Sequence, residues 1–286
     1  MILAFGLNGQ VGQALAAQPG VCALGRDAAD LMDPGACAAV IDKMRPDAVI
    51  NAAAFTAVDR AETDTADAMT VNAITPGIMA QSCAALGIPF VHISTDYVFS
   101  GAGSRAWRET DTPGPINAYG HSKWAGEQAV LDAGANAAVL RTSWVFSAHG
   151  QNFVKTMIRL AKTHDELRIV DDQIGAPTSA RAIADAALAM ARAMMGQGDL
   201  GGIYHFASTP DTSWAGFAQA IFAHLPKAPQ VHKIPTMDYP TPAQRPLNSR
   251  LDCRKITKSF GIKRPDWQAD LADVMAQLMQ EETDAT

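Results

Sequence analysis

Short apolar runs alternate with longer stretches of helical periodicity along the first half of the chain. The runs are bounded by glycine, proline or polar residues, and their lengths suit buried parallel strands at 2–5, 21–24, 47–54, 89–93 and 139–146. The stretches between them predict helices up to 17, at 34–45, at 58–86 with an interruption at Thr75-Pro76 where Asn72 ends a first helix, and at 119–131. This alternation predicts an α/β fold with a doubly wound, Rossmann-like parallel sheet.

The spacing of apolar residues changes beyond residue 146. Helical patterns at 152–162 and 180–195 and short strand patterns at 167–170 and 202–206 predict a smaller C-terminal α/β part. Between 225 and 246 proline recurs among histidine, tyrosine and arginine. That composition favours a loop-rich lid over another regular strand-helix unit.

Composition narrows the class of protein. The chain has 286 residues, 48% hydrophobic and 18% charged, with a net charge of -6, as expected for a soluble globular protein and not for a nucleic-acid or membrane binder. Its four cysteines are scattered without metal-ligand spacing, which indicates reduced thiols in a cytoplasmic protein. We expect no export signal, because a positively charged leader is lacking, and no apolar run approaches the roughly 18 residues that span a bilayer.

A glycine-rich turn follows the first strand. Gly6, Gly9 and Gly12 form a GxxGxxG pattern before a helix. Without side chains, the backbone N–H groups of such a turn can approach a pyrophosphate at the positive end of the helix. A purely structural turn is the alternative. The pattern predicts a dinucleotide-binding domain over 1–148 and a mainly substrate-binding domain over 149–286, with segments around 171–206 returning to the first.

The second strand ends in Gly25-Arg26, where an acidic residue would bind the ribose hydroxyls of NAD. An arginine there can pair with the 2′-phosphate of NADP instead. Because Asp27 is adjacent and Arg26 could be a solvated surface charge, the sequence favours NADPH and leaves NADH possible.

Polar residues that can move a proton follow the fourth strand. Ser94, Thr95 and Asp96 close it, and Tyr119 and Lys123 lie one turn apart on the next predicted helix. A lysine at that spacing can lower the pKa of the tyrosine, whose usual value is near 10, and the Thr95 hydroxyl can hold a carbonyl oxygen opposite them. The alternatives are a surface helix pair and turn-forming caps. Together with the glycine turn, the pattern predicts carbonyl reduction by Tyr119, Lys123 and Thr95.

The chain resembles the dTDP-4-dehydrorhamnose reductases, a branch of the extended short-chain dehydrogenases/reductases, over nearly its whole length. The likeness is carried by GxxGxxG, NAAAFTAVD, STDYVF, YGHSK, RTSWVF, DQIGAPT and PTPAQRPLNSRLD. It implies reduction of the 4-keto group of dTDP-4-dehydro-L-rhamnose to dTDP-L-rhamnose. It also implies that Tyr119 protonates the nascent alkoxide, that Lys123 binds the nicotinamide ribose and lowers the tyrosine pKa, and that Thr95 orients the carbonyl.

The resemblance also implies which residues contact the two ligands. Those facing the sugar nucleotide are Thr95, Asp96 and Trp144, with Arg245 toward the pyrophosphate of the dTDP-linked 4-keto-6-deoxy sugar. Those facing the cofactor, besides Gly6, Gly12, Arg26, Tyr119 and Lys123, are Gly9, Gln10, Val11, Asp30, Leu31, Ala54, Phe55, Thr56 and Ile93.

The chain departs from the family pattern at two positions that bear on assembly. Some members are magnesium-bridged dimers that use glutamates where this chain has Ala14 and Arg181. We therefore expect no structural metal and a monomer or weak homodimer.

Two other functions fit the same motifs: a reductase or epimerase of another nucleotide sugar, and a catalytically silent NADP-binding regulatory subunit. The intact Thr95, Tyr119 and Lys123 favour an enzyme.

Overall fold

The computed structural model describes residues 1–196 and 200–284, so predictions that include 197–199 or 285–286 extend outside the described residues there. The strands are β1 Ile2–Phe5, β2 Val21–Leu24, β3 Ala48–Asn51, β4 Phe90–Thr95, β5 Ala137–Thr142, β6 Val145–Phe146, β7 Glu166–Val170, β8 Ile174–Gly175, β9 Thr178–Ser179, β10 Gly202–His205, β11 Thr212–Ser213 and β12 Gln230–Ile234. The α-helices are α1 Gln10–Ala16, α2 Pro34–Met44, α3 Thr65–Met69, α4 Thr75–Leu86, α5 Ala118–Asp132, α6 Phe153–Ala161, α7 Ala180–Gly196, α8 Trp214–Phe222, α9 Arg254–Phe260 and α10 Trp267–Asp284.

A six-stranded parallel sheet in the order β10-β5-β4-β3-β1-β2 forms the centre of the fold. The side chains of β1, β3 and β5 are buried throughout, because helices cover both faces. Helices α1 and α7 pack on one face, while α2, α4 and α5 pack on the other. The predicted doubly wound sheet is confirmed. Its order changes direction between β1 and β3, and ligands bind at the carboxyl ends of strands at such a point.

A second hydrophobic cluster lies beside this sheet. It joins α6, α8 and α10 around the parallel pair β7 and β12. Later segments return to the large sheet. Helix α7 packs against α1, and β10 forms the edge strand of that sheet. The boundaries of the two domains stay a prediction. In the described part of the chain, no helix is both long and apolar enough to cross a membrane.

The single strand predicted at 139–146 is wrong. Strand β5 ends at Thr142, and Trp144, two residues later, has a left-handed φ of 49°. Val145 and Phe146 then pair with β9 and leave the large sheet. A left-handed residue cannot continue a strand, so the apolar run is divided between two sheets.

Two other predictions need correction. Asn72 does not end a helix, because residues 70–74 form a π-helical turn that joins α3 to α4 without a break. The segment 225–246 is not wholly a loop, because it contains β12, which pairs in parallel with β7. The rest of that segment is irregular except for a 3-10 turn at Thr236–Asp238.

Candidate active site

A cavity of about 680 Å³ lies at the carboxyl ends of β1, β3, β4 and β5. The glycine turn after β1 and aromatic residues from the C-terminal part both line it. Strand ends of a parallel sheet converge on one edge, so residues far apart in sequence share this wall.

The glycine turn is shaped by contacts that exclude side chains. Gly6 has a left-handed φ of 106°, and a Cβ there would lie 2.7 Å from the Ala53 nitrogen. A Cβ on Gly12 would lie 1.8 Å from the Gly6 carbonyl oxygen, so α1 can approach the turn only with glycine at this position. Gly9 caps α1 without a side-chain hydrogen bond, and Gly9, Gln10 and Val11 line the cavity. This backbone cradle fits a pyrophosphate.

Arg26 and Asp30 lie at the far side of the turn. The Arg26 side chain is 78% exposed and its Nε is 3.9 Å from an Asp30 carboxylate oxygen. Its backbone N–H donates to the Asn8 side chain at 2.9 Å. The guanidinium is thus at the cavity rim and only weakly paired, so it can turn toward a ligand phosphate. Asn8 also lines the cavity and was not predicted.

The three predicted catalytic residues meet on one wall. Thr95 ends β4, while Tyr119 and Lys123 lie one turn apart on α5, which Asn117 caps by accepting the Gly120 N–H at 2.8 Å. The Thr95 hydroxyl donates to Asp96 Oδ1 at 3.1 Å and lies beside the Tyr119 phenol. The Lys123 ammonium group donates to the Ile93 carbonyl oxygen at 2.7 Å. The helix thus places both groups against the end of β4.

Burial dominates the ionisation of this wall. It raises the pKa of the Tyr119 phenol above its usual value, an effect that the Thr95 hydrogen bond opposes and Asp96 reinforces. It lowers the pKa of Lys123 to about 8, against the opposing charge of Glu127. The phenol therefore holds its proton at neutral pH, as a general acid must. A lowering of its pKa by Lys123 stays a prediction.

Asp96 is a buried carboxyl group at the same strand end. Its Oδ1 accepts from the Thr95 hydroxyl at 3.1 Å, and Oδ2 is buried without a hydrogen-bond partner in the described residues. Burial raises its pKa to about 7, an effect that the nearby Ser249 and Thr95 hydroxyl groups oppose. A buried polar atom left unpaired at a cavity is a ready partner for a ligand hydroxyl.

Aromatic rings from distant parts of the chain also line the cavity. The rings of Trp144 and Trp214 stack with centroids 3.7 Å apart, and Phe153 lies 4.6 Å from Trp214. A Cβ on Gly175 would meet the Trp144 ring at 2.9 Å, so glycine leaves room for the stack. Trp214 and Phe153 were not predicted, because each stands at the start of a C-terminal helix and only the fold brings it to Trp144.

Most of the predicted site residues line the cavity: Gly6, Gly9, Gln10, Val11, Arg26, Asp30, Leu31, Ala54, Thr56, Ile93, Thr95, Asp96, Tyr119, Lys123 and Trp144. Gly12, Phe55 and Arg245 lie outside its wall. Arg245 pairs with Asp59 at 2.9 Å, and the Arg60 guanidinium lies over the Phe55 ring. The ligand contacts assigned to these three residues stay predictions.

The positions of the family's bridging glutamates have other contacts here. Ala14 packs against the hydrophobic core, and Arg181 forms ion pairs with Asp270 and Asp273, each at 2.9 Å. Across 1–196 and 200–284, no group of three His, Cys, Asp or Glu residues is placed to hold a metal ion.

Comparison with known proteins gives consistent matches over the whole chain. A family model described as the RmlD substrate binding domain matches residues 1–280. The dTDP-4-dehydrorhamnose reductase of Sinorhizobium fredii is 44% identical over 290 residues, covering 98% of each chain. The protein of that name from Burkholderia thailandensis is 47% identical over 283 residues, covering 93% of this chain and 95% of its own. The crystal structure of dTDP-4-dehydrorhamnose reductase from Bacillus anthracis in complex with NADP matches with a TM-score of 0.88 and 33% identity, covering 96% of this chain and 98% of that one.

Proposed function

The chain belongs to the dTDP-4-dehydrorhamnose reductase family, and from this premise we propose that it reduces the 4-keto group of dTDP-4-dehydro-L-rhamnose with NADPH to give dTDP-L-rhamnose. The observation that carries the proposal is the meeting of Thr95, Tyr119 and Lys123 on one wall, between the glycine turn and the tryptophan stack. A dinucleotide and a sugar nucleotide bound in this one cavity can therefore share the same proton donor.

The cofactor fits the glycine-turn end of the cavity. The backbone at Gly9, Gln10 and Val11 would hold its pyrophosphate, and Arg26 would pair with the 2′-phosphate. Lys123 would hold the nicotinamide ribose. When bound, NADPH supplies the hydride that the carbonyl carbon receives. NADH remains usable, because the rest of the cradle is indifferent to the 2′-phosphate.

Tyr119 supplies the proton. The Thr95 hydroxyl holds the carbonyl oxygen beside the phenol, which is the geometry a general acid needs. As the carbonyl carbon accepts hydride, negative charge develops on that oxygen, and the phenol O–H breaks to form the product hydroxyl. Because burial raises the Tyr119 pKa, the proton stays on the phenol until that charge develops.

The sugar is held at the aromatic end. Trp144, with Trp214 stacked behind it, gives the apolar face of a 6-deoxy sugar a flat wall. The Asp96 carboxyl group is positioned to bond a sugar hydroxyl. These contacts support a dTDP-linked 4-keto-6-deoxy sugar as the substrate class, by analogy with the family.

The test is NADPH consumption with dTDP-4-dehydro-L-rhamnose, compared with UDP- and GDP-linked 4-keto sugars. We expect turnover of the dTDP sugar and a loss of at least about 100-fold in Tyr119→Phe, the usual scale for a general acid. Tyr204→Phe is the matched control, because that hydroxyl donates to Leu200 in the edge of the sheet, away from the cavity.

Full activity in Tyr119→Phe would refute the mechanism. Turnover of only a UDP- or GDP-linked sugar would refute the substrate.

A further inference from the structure

A buried polar chain lies behind Lys123. The Lys123 Nζ is 3.2 Å from His92 Nε2, and His92 Nδ1 is 3.2 Å from the Asn51 side-chain nitrogen. The Asn51 side-chain oxygen accepts the backbone N–H of Ala53 at 3.1 Å. All three side chains are essentially inaccessible to water, so these contacts have no competing solvent partners.

The hydrogen bonds in this series have a fixed direction, because the series starts at a backbone amide. The Ala53 N–H can only donate, so Asn51 must turn its oxygen toward it and its NH₂ group toward His92. His92 Nδ1 must then accept. Since the pKa of His92 is far below its usual value, through burial and the nearby Lys123, the ring is neutral and carries its one proton on Nε2.

The Nε2–H therefore points at the Lys123 nitrogen. A neutral amine has a lone pair that can accept this hydrogen while one of its own N–H groups donates to the Ile93 carbonyl. An ammonium group has no lone pair, and its N–H would face another N–H. We propose that Asn51 and His92 form a directional hydrogen-bond chain that favours the neutral amine of Lys123 over the ammonium form, which makes His92 a positioning residue for the reductase site.

Other groups around Lys123 also affect the equilibrium between its ammonium and amine forms. Glu127, one turn later on α5, favours the ammonium form, but its oxygens are held by Ser94 at 2.6 Å and Arg141 at 2.8 Å. Tyr119 on α5 and Asp96 after β4 face the same cavity. Burial places the Lys123 pKa at about 8, so a modest contribution from His92 changes which form dominates near neutral pH.

The direction of these hydrogen bonds can be measured without an assay of enzyme activity. Nitrogen-15 NMR of labelled histidine distinguishes a ring protonated on Nε2 from one protonated on Nδ1. We expect His92 to be the neutral Nε2–H form, identified among the seven histidines by its loss in His92→Phe. If that variant does not fold, the ring is identified by its shift in Lys123→Met. A neutral Nδ1–H ring would overturn the proposal.

The consequence for Lys123 rests on the proposed function and is read from the pH dependence of kcat/KM. Only the ammonium form of Lys123 can lower the Tyr119 pKa, so its deprotonation sets the basic limb. His92→Phe keeps the ring volume and removes the donor, so this limb should move up by about one pH unit. His205→Phe, which replaces another buried histidine with no contact to Lys123, should leave the limb in place.

A downward shift or no shift in His92→Phe would overturn the proposal. If the protein reduces no keto sugar at all, the proposed function fails while the NMR result still decides the direction of the chain.

Discussion

Asp96 is a residue whose ionisation depends strongly on its place in the fold. Its pKa is about 7 when folded, against 3.8 for the free side chain, because burial disfavours the carboxylate. The folded chain therefore binds the proton more tightly than the unfolded chain, and this stabilisation is complete below about pH 4 and lost as the pH rises toward 7. Relative to Asp96→Asn, the wild type should lose several kcal/mol over that range, at about 1.4 kcal/mol per pKa unit. Urea unfolding across the pH series measures the difference.

Asp111 provides the matched control of opposite sign. Its hydrogen bonds with Arg105 lower its pKa to about 2, so any stability it contributes is present above pH 4 and lost in stronger acid. Between pH 4 and 7 the difference between wild type and Asp111→Asn should be flat. A flat difference for Asp96→Asn as well would show that its carboxyl group is ionised in the folded protein at ordinary acidity.

Arg26 is the side chain that we propose selects NADPH over NADH. The guanidinium is exposed and weakly paired, so removing it should cost little stability and should weaken a bound 2′-phosphate. We expect Arg26→Ala to raise KM for NADPH about tenfold and KM for NADH little, measured by steady-state kinetics with each cofactor. An unchanged ratio would mean that the 2′-phosphate is bound elsewhere.

Helix α5, which carries Tyr119 and Lys123, packs closely against the π-helical turn at 70–74. A Cβ on Gly126 would lie 1.9 Å from the Asn72 carbonyl oxygen. Gly126→Ala should therefore destabilise the fold by about 1–3 kcal/mol, the usual cost of overpacking, and displace Tyr119 from Thr95. The urea midpoint and kcat report the two effects.

Gly196→Ala at the end of α7 is the control, because a Cβ there meets nothing within 4 Å and should change stability by less than about 0.5 kcal/mol. Equal stability of the two variants would mean that α5 can move away from the turn at no cost.

Local pattern was enough to predict the elements that matter most to the site. Gly6, Gly9 and Gly12 lie within one short segment, and Tyr119 and Lys123 lie four apart on one helix, so short-range spacing determines their arrangement. The stack of Trp144 on Trp214 depends on a left-handed residue and a distant helix, and the contact of Asn51 with His92 depends on strand pairing. Neither has a signal in a single stretch of sequence.

Helix α10 joins helix α7, which packs on the large parallel sheet, to the hydrophobic cluster around α6 and α8. The Asp270 carboxylate accepts from Ser179 at 2.6 Å and from Arg181 at 2.9 Å, at the point where the chain returns to the large sheet. Because these contacts occupy Arg181, we propose a monomer or weak dimer that does not use magnesium. Sedimentation at micromolar concentration should give a mass near 30.3 kDa, unchanged by magnesium or a chelator. A doubled mass that a chelator halves would contradict this.

The stacked tryptophans at the end of the cavity also give the protein an optical signal of its own. Two indole rings 3.7 Å apart and nearly parallel share their electronic transitions, which produces a paired band in the far-ultraviolet circular dichroism and quenches their fluorescence. We expect a sugar that binds against Trp144 to change the separation or tilt of the pair. Occupancy of the cavity can therefore be followed by light alone, without a label and without turnover.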